Sequence, residues 1–293
     1  MTTNTYDRAA QDVGNIVQLE HVNVWVEDQR LATAFYVFGL GLTRDPYLMV
    51  NIDNMWVNVG RQEFHLITKP PQVLRGITGL VVPSLERLQK RLERVKEMKL
   101  LEGTKFGWQL EDKTVLVTCP WGNTFRMHAP GPEFPDMPLG IPYVEFTVPP
   151  ETAAGIAKFY DKVFEAASTV TPNGGGLGMA RVKVGPSQEL RFKETKAPIP
   201  NYDGHHIAVY VSNFSRNHDW LAAHGLVTEE SNPYQYRFNW ISDPDTGARL
   251  FEIEHEVRSL THPMYMRPMV NRNPSQTQRE FVPWGDPFHP GAE

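Results

Sequence analysis

Four side chains that can bind a transition metal stand at repeated positions of this sequence. His21 and His65 lie 44 residues apart, and His206 and Glu252 lie 46 residues apart. Imidazole nitrogens with one carboxylate suit Fe(II), Mn(II), Zn(II) or Ni(II), and two histidines plus one carboxylate leave positions open for a substrate and dioxygen. The pattern therefore predicts a metal site with His21, His206 and Glu252 as ligands.

Neighbouring residues leave two alternatives open at this site. His65 is either a fourth ligand or an acid/base residue, since the pKa of a neutral imidazole lies near the operating pH. Glu254 shares a strand face with Glu252, and a small register shift would make it the ligand instead. His255 and Glu256, which follow, are expected to be exposed.

Four repeated units must position these residues. Each unit begins with a strand in which every second side chain faces the same side, and a helical segment follows; Ser84 is a suitable N-cap for the second helix. The first strands are HVNVWV from His21, ITGLVV from Ile77, YVEFTV from Tyr143 and HIAVYV from His206. The units close with an apolar, a polar and an apolar residue: Phe64-His65-Leu66, Phe125-Arg126-Met127, Leu190-Arg191-Phe192 and Phe251-Glu252-Ile253. The polar central residue faces away from its neighbours, which predicts a shared concave surface.

This βαβββ pattern resembles the vicinal oxygen chelate superfamily, which includes glyoxalases, epimerases and extradiol dioxygenases, over about residues 16–258. The resemblance implies an α+β fold in which four modules form two cup-shaped curved mixed sheets. It divides the chain into an N-terminal half with modules 1 and 2 (16–130), a C-terminal half with modules 3 and 4 (139–260), and an extended tail (261–293) that is expected to pack on the body.

The pairing of the modules decides which residues meet. If unit one pairs with unit four, His21, His65, His206 and Glu252 share one cup. If unit one pairs with unit two, and three with four, one cup keeps only Tyr143, His206 and Glu252. We prefer the first pairing because it makes one complete site.

Further roles follow from the resemblance. The doublet His205-His206 is similar to the hydroquinone ring-cleaving branch, in which a second histidine stands beside a ligand histidine; His205 must point to the other face of the strand. Tyr236 and Arg237 precede the last strand and could orient a phenolate. Tyr210 lies on the same face as His206 and could line the pocket.

These features lead to a hypothesis of an Fe(II)-dependent dioxygenase that cleaves a catechol- or hydroquinone-type ring, with dioxygen as co-substrate and with His65, His205 or Tyr236 moving protons. Mn(II), Zn(II) and Ni(II) are alternatives to iron. A glyoxalase- or epimerase-like lyase or isomerase is the second hypothesis, and four protein ligands including His65 would favour it. A non-catalytic protein that binds a small aromatic molecule, as some resistance proteins of the superfamily do, is the third.

The composition excludes other classes of function. The net charge is -5, so the chain lacks the excess of basic residues that is typical of a nucleic-acid binder. No run approaches the eighteen apolar residues of a membrane span, and the first fifteen residues lack the apolar core of a secretion signal. The single cysteine, Cys119, fits a reducing cytosol, so we expect a cytoplasmic protein.

Four units complete both cups, so no dimer is required, although a homo-oligomer stays open. In the second cup, Arg126 and Arg191 either bind an anion or pair with acids such as Glu145.

Overall fold

Four βαβββ units make up the computed structural model, which describes residues 7–46, 48 and 53–267. A short 3-10 helix (Ala9–Gln11) precedes the units. The strands of unit one are β1 (Ile16–Asn23), β2 (Thr43–Arg44), β3 (Asn54–Val59) and β4 (Gln62–Ile67). Unit two has β5 (Gly76–Val81), β6 (Gly107–Leu110), β7 (Val115–Thr118) and β8 (Thr124–His128). Unit three has β9 (Gly140–Val148), β10 (Ser168–Pro172), β11 (Gly178–Lys183) and β12 (Glu189–Glu194). Unit four has β13 (His206–Val211), β14 (Val227–Asn232), β15 (Gln235–Ser242) and β16 (Arg249–Ser259).

One helix follows the first strand of each unit. The helices are α1 (Gln29–Ala32), which continues as a π-helical segment (Thr33–Gly39), α2 (Leu85–Glu97), α3 (Ala153–Phe164) and α4 (Phe214–Ala223). Ser84 caps α2 as predicted, because its hydroxyl accepts a hydrogen bond from the Arg87 N–H. The apolar face of α2 buries Leu88, Leu92 and Val95, at the spacing that places them on one side of a helix.

Two eight-stranded mixed sheets combine the units across the sequence. The first sheet has the order β14-β15-β16-β13-β1-β4-β3-β2, and the second has the order β10-β11-β12-β9-β5-β8-β7-β6. Unit one therefore pairs with unit four, and unit two with unit three. This confirms the α+β fold and the preferred module pairing, and each sheet takes strands from both sequence halves, 16–130 and 139–260.

The predicted ligand strands lie at the centre of the first sheet. β1 is antiparallel to β13 and parallel to β4, while β13 is parallel to β16. Alternate residues of these strands face the helices, where they form one continuous hydrophobic core that includes Leu19, Phe64, Val209 and Ile253. The intervening residues face the concave side, called here the metal cup. Its polar side chains are therefore held by a fully paired sheet whose other face is buried.

A segment after β16 covers part of the metal cup. This covering segment, residues 261–267, places the Arg267 guanidinium 2.7 Å from Asp45 and 2.8 Å from Glu63. All three side chains are almost completely buried, so the ion pairs hold the segment against the sheet. The rest of the predicted tail, 268–293, lies outside the described residues. Among the helices of the described chain, none is long and apolar enough to cross a membrane.

Candidate metal centre

Two histidines and one glutamate converge at the centre of the metal cup. His21 on β1, His206 on β13 and Glu256 on β16 each offer a ligand atom, and the three atoms lie within 4.8 Å of one another. All three residues are buried. This is the one group of three potential metal ligands found in the described chain.

The donor atoms of this group fit a divalent metal. The Nε2 atoms of His21 and His206 are buried and have no hydrogen-bond partner among the described residues, which is costly unless a ligand satisfies them. Burial holds the pKa of His206 well below its usual value, so its imidazole is neutral, as a metal ligand must be. Burial also opposes ionisation of Glu256, but the positive charge of Arg258 is the largest of the effects that outweigh it and hold the pKa of this carboxyl well below its usual range.

The structure brings Glu256, rather than the predicted Glu252, to the two histidines. In the parallel pairing of β13 with β16, His206 lies opposite Glu254 and Ala208 lies opposite Glu256. Glu252 lies about 13 Å from Glu256 along the strand, at roughly 3.3 Å per residue. It pairs with Trp240 on β15, and its backbone carbonyl accepts a hydrogen bond from Arg75.

The strand pairing in unit one explains why the sequence pattern pointed to Glu252 instead of Glu256. There His21 lies opposite Glu63, and Asn23 lies opposite His65. The structural counterpart of His65 in unit four is therefore Glu256. Counting residues from the preceding glycine failed because β16 spans 11 residues and β4 only 6. The expectation that His255 and Glu256 are exposed was also wrong, since both are almost fully buried.

Two arginines hold the Glu256 carboxylate. Arg258 Nη2 lies 2.5 Å from Glu256 Oε1, and Arg237 contacts the other carboxylate oxygen. Arg237, predicted to bind substrate, thus lies in the metal cup, where it also pairs with Glu254 at 2.5 Å. Tyr210, the other predicted substrate residue, is in the same cup and accepts a hydrogen bond from Arg258 at 3.3 Å.

His65 stands beside the centre but outside the group of three. Its ring stacks on Trp56 with 3.9 Å between centroids and lies edge-on to His21 at 5.9 Å. Nδ1 is 2.8 Å from the Asn23 amide nitrogen and Nε2 is 2.9 Å from the Asn54 amide oxygen. Both ring nitrogens are therefore engaged, and burial holds the pKa of His65 well below its usual value. This favours a neutral residue beside the substrate space over a fourth ligand.

His205 and Tyr236 lie on the opposite face of the sheet, as predicted for His205, so the structure does not bring either side chain to the metal cup. The His205 ring is buried and its Nδ1 is 2.6 Å from Asp203. The Tyr236 hydroxyl accepts a hydrogen bond of 2.5 Å from Asn217 on α4. Tyr236 faces α4 because its neighbour Arg237 faces the cup and successive strand residues alternate.

The second cup carries a tyrosine and two arginines at the positions where the metal cup carries its candidate ligands. Tyr143, at the position equivalent to His206, hydrogen-bonds His128 at 2.9 Å and lies under the Arg191 guanidinium at 3.8 Å. Its ring occupies the space beside Gly79, where a Cβ atom would come within 2.5 Å. Arg191 also pairs with Glu189 at 2.9 Å. Arg126 likewise pairs with Glu111 at 3.1 Å, which supports the structural interpretation of both arginines.

Three charged residues of the metal cup were missed: Glu20, Glu256 and Arg258. For Glu256 and Arg258 a signal was present in the sequence, because Glu252, Glu254, Glu256 and Arg258 alternate along one strand. Glu20 directly precedes His21 and would normally face the other way. A register shift in the β1–β13 pairing between Leu19 and His21 changes this.

A cavity of about 170 Å³ adjoins the centre. Glu20, Glu63 and Tyr210 line it from the sheet, and Met264 and Arg267 line it from the covering segment. Because Glu20 also contacts His21, the cavity lies next to the metal ligands.

Comparisons with known proteins agree with this geometry at the level of the fold. No protein-family model and no curated protein sequence matches the chain. A solved structure described as a putative dioxygenase from Bacillus subtilis subsp. subtilis str. 168 has a TM-score of 0.58 and 18% identity, covering 92% of this chain and 91% of that chain. Glyoxalase I from Zea mays has a TM-score of 0.56 and 12% identity, covering 83% of this chain and 92% of that chain.

Proposed function

Because the chain has the fold of the vicinal oxygen chelate superfamily, we propose that it is a metal-dependent enzyme, and specifically an Fe(II)-dependent dioxygenase that cleaves a catechol- or hydroquinone-type ring. The observation that carries the proposal is the convergence of His21, His206 and Glu256 with two unpartnered imidazole nitrogens. Two histidines and a carboxylate on one face are the ligand set of non-haem iron oxygenases.

In this proposal, different residues around the centre bind the metal and transfer protons. His21, His206 and Glu256 would hold the ion, which would supply a route for electron density from the aromatic substrate to dioxygen that no side chain provides. Trp56 stacks on His65, and both rings lie edge-on to His21, which places aromatic surface beside the proposed metal ligands.

His65 is the residue proposed to move a proton at the substrate. In the structure its Nδ1 accepts from Asn23 and its Nε2 donates to Asn54. Nδ1 can take up a substrate hydroxyl proton only by exchanging its bond to Asn23. Because the pKa of His65 is held low by burial, the acquired proton would readily be returned later in the cycle.

A glyoxalase- or epimerase-like lyase or isomerase is the second candidate. Glyoxalase I shares the fold at a TM-score close to that of the dioxygenase-named structure. A four-ligand centre would need His65, however, and both nitrogens of that ring are bound to amides.

The test is anaerobic loading of the purified protein with Fe(II), followed by oxygen uptake in the presence of catechols and hydroquinones. We expect one iron per chain, oxygen consumption and a ring-cleavage chromophore. Activity with Zn(II), Ni(II) or Co(II) in the absence of oxygen would instead support the lyase or isomerase.

Matched variants make this test specific to the site. Glu256→Ala should lose retained iron and oxygen uptake, because it removes the anionic donor. Glu252→Ala, on the same strand and face, should keep both. Retention of iron by Glu256→Ala together with its loss in Glu252→Ala would overturn the assignment.

A further inference from the structure

Each ligand histidine has a carboxylate at its Nδ1 atom. His21 Nδ1 contacts the Glu20 carboxylate, and His206 Nδ1 lies 3.1 Å from Glu254 Oε1. The Nε2 atom of each ring has no hydrogen-bond partner in the described part of the chain. Both rings therefore present the same edge to the centre.

Two different local structures produce the two pairs. In β1 the register shift between Leu19 and His21 inserts Glu20 as an extra residue relative to β13. Such a bulge re-aims side chains, and here Glu20 contacts both His21 and the cup residue Arg258. In unit four no bulge is needed, because Glu254 lies opposite His206 in the parallel pairing.

The two arginines of the cup tie these carboxylates to the third ligand. Arg258 lies 3.0 Å from Glu20 and 2.5 Å from Glu256. Arg237 lies 2.5 Å from Glu254 and contacts Glu256. A continuous series of acid–base contacts thus runs from one histidine through Glu256 to the other, so neither carboxylate is free to rotate away from its histidine.

We propose that Glu20 and Glu254 are positioning residues that accept the Nδ1–H of His21 and His206, fixing the tautomer in which both Nε2 atoms are unprotonated and aimed at one point. A ligand histidine commonly donates its second N–H to a carboxylate or carbonyl, which sets its tautomer and orientation. The role of these two carboxylates in metal binding rests on the proposed function, but the tautomers of the two histidines can be measured in the metal-free protein.

The first test is therefore made without metal, on protein labelled with ¹⁵N in its histidines. Nitrogen chemical shifts should show the Nδ1–H tautomer for His21 and His206. Glu20→Ala should make the His21 tautomer mixed and leave His206 unchanged, and Glu254→Ala should do the reverse. Glu20→Gln and Glu254→Gln keep an acceptor oxygen and should restore the Nδ1–H form. An Nε2–H tautomer in the unaltered protein, or no response in the alanine variants, would overturn the proposal.

The second test measures Zn(II) affinity by competition with a chelator. Each alanine variant should bind about 10–100-fold more weakly, each glutamine variant should recover part of the loss, and Glu252→Ala should bind as the unaltered protein does. Unchanged affinity in both alanine variants would contradict the positioning role. If the unaltered protein bound no metal while its tautomers were as predicted, the proposed function would fail and the positioning pairs would stand.

Discussion

At the residue scale, two neighbouring arginines stabilise the negative charge of Glu256 in the protein interior. A buried carboxylate is costly unless it is paired, and Arg258 and Arg237 supply the pairing. Both arginines also contact a second acid. The cup therefore depends on a network rather than on isolated ion pairs.

Replacement of Arg258 should reveal the cost of breaking this network. Arg258→Gln leaves Glu20 and Glu256 buried without their shared cation, and removing one partner of a buried pair typically costs about 3–5 kcal/mol. We expect the free energy of unfolding in urea to fall by roughly that amount. Arg249→Gln, which removes a cation from the exposed start of β16, is the control and should change it little. An equal loss in both variants would show that the network contributes nothing specific.

Tyr236 provides a residue-scale test of the face assignment. Tyr236→Phe removes the hydroxyl bonded to Asn217 on the helix side of the sheet. We expect the unfolding free energy to fall by about 1 kcal/mol, with Zn(II) affinity and oxygen uptake unchanged. A large loss of activity at unchanged stability would instead show that Tyr236 takes part in catalysis.

At the element scale, the covering segment is held by the buried ion pairs of Arg267 and by a hydrogen bond to His262. Arg267 joins Asp45 and Glu63, and Met264 packs against Leu48 and Trp56. Met264 and Arg267 also line the cavity beside Glu20. The segment's attachment can be tested separately from the chemistry of the centre.

Arg267→Met should release the covering segment. The variant leaves Asp45 and Glu63 buried beside an apolar side chain, at a cost of about 3 kcal/mol. Amide hydrogen exchange of residues 261–267 should accelerate about 100-fold, since each 1.4 kcal/mol is tenfold. Arg61→Met, which removes an exposed cation at the edge of the same cavity, should leave the exchange rates unchanged. Unaltered exchange in Arg267→Met would show that other contacts hold the segment.

Acid should also loosen this segment through His262. Burial, together with the nearby Arg258, lowers the pKa of His262 to about 3, against the opposing pull of Glu20 and Glu256, and its Nδ1 accepts a hydrogen bond from the Met264 N–H. The docked form therefore binds fewer protons than the released form. Its stability is complete above the ordinary histidine pKa of about 6.5 and declines as the pH falls from there toward 3, by about 2 kcal/mol at pH 5.

Hydrogen exchange of the Met264 amide at pH 7 and pH 5, corrected for the intrinsic rate, measures this effect. Exchange should become faster at pH 5. His262→Gln cannot titrate and should show no such change. The same acid response in both proteins would assign it to other groups.

The elements were predictable from the sequence, and part of the site was not. Alternating strands and repeated closings predicted four units, because period-two patterns report directly on buried faces. The pairing of the first unit with the fourth was preferred because it completes one site. His21 and His206 were predicted from their equivalent positions in the repeated units. Choosing among Glu252, Glu254 and Glu256 required the register of β16 against β13, which depends on long-range pairing. The bulge that turns Glu20 into the cup left no local signal.

At the scale of the whole molecule, the two cups differ in their side chains rather than in their architecture. Both arise from the same βαβββ units, but Tyr143 is hydrogen-bonded to His128 in the second cup, whereas the equivalent His206 leaves a nitrogen unpartnered in the first. The one group of three potential metal ligands in the described chain lies in the first cup, so we expect one metal ion per chain.

The most direct measurement is anomalous diffraction at the iron edge from crystals of the protein loaded anaerobically with Fe(II). We expect a single peak in the metal cup, within bonding distance of His21 Nε2, His206 Nε2 and the Glu256 carboxylate. A peak bound by Glu252, a peak in the second cup, or no peak in iron-loaded crystals would contradict it.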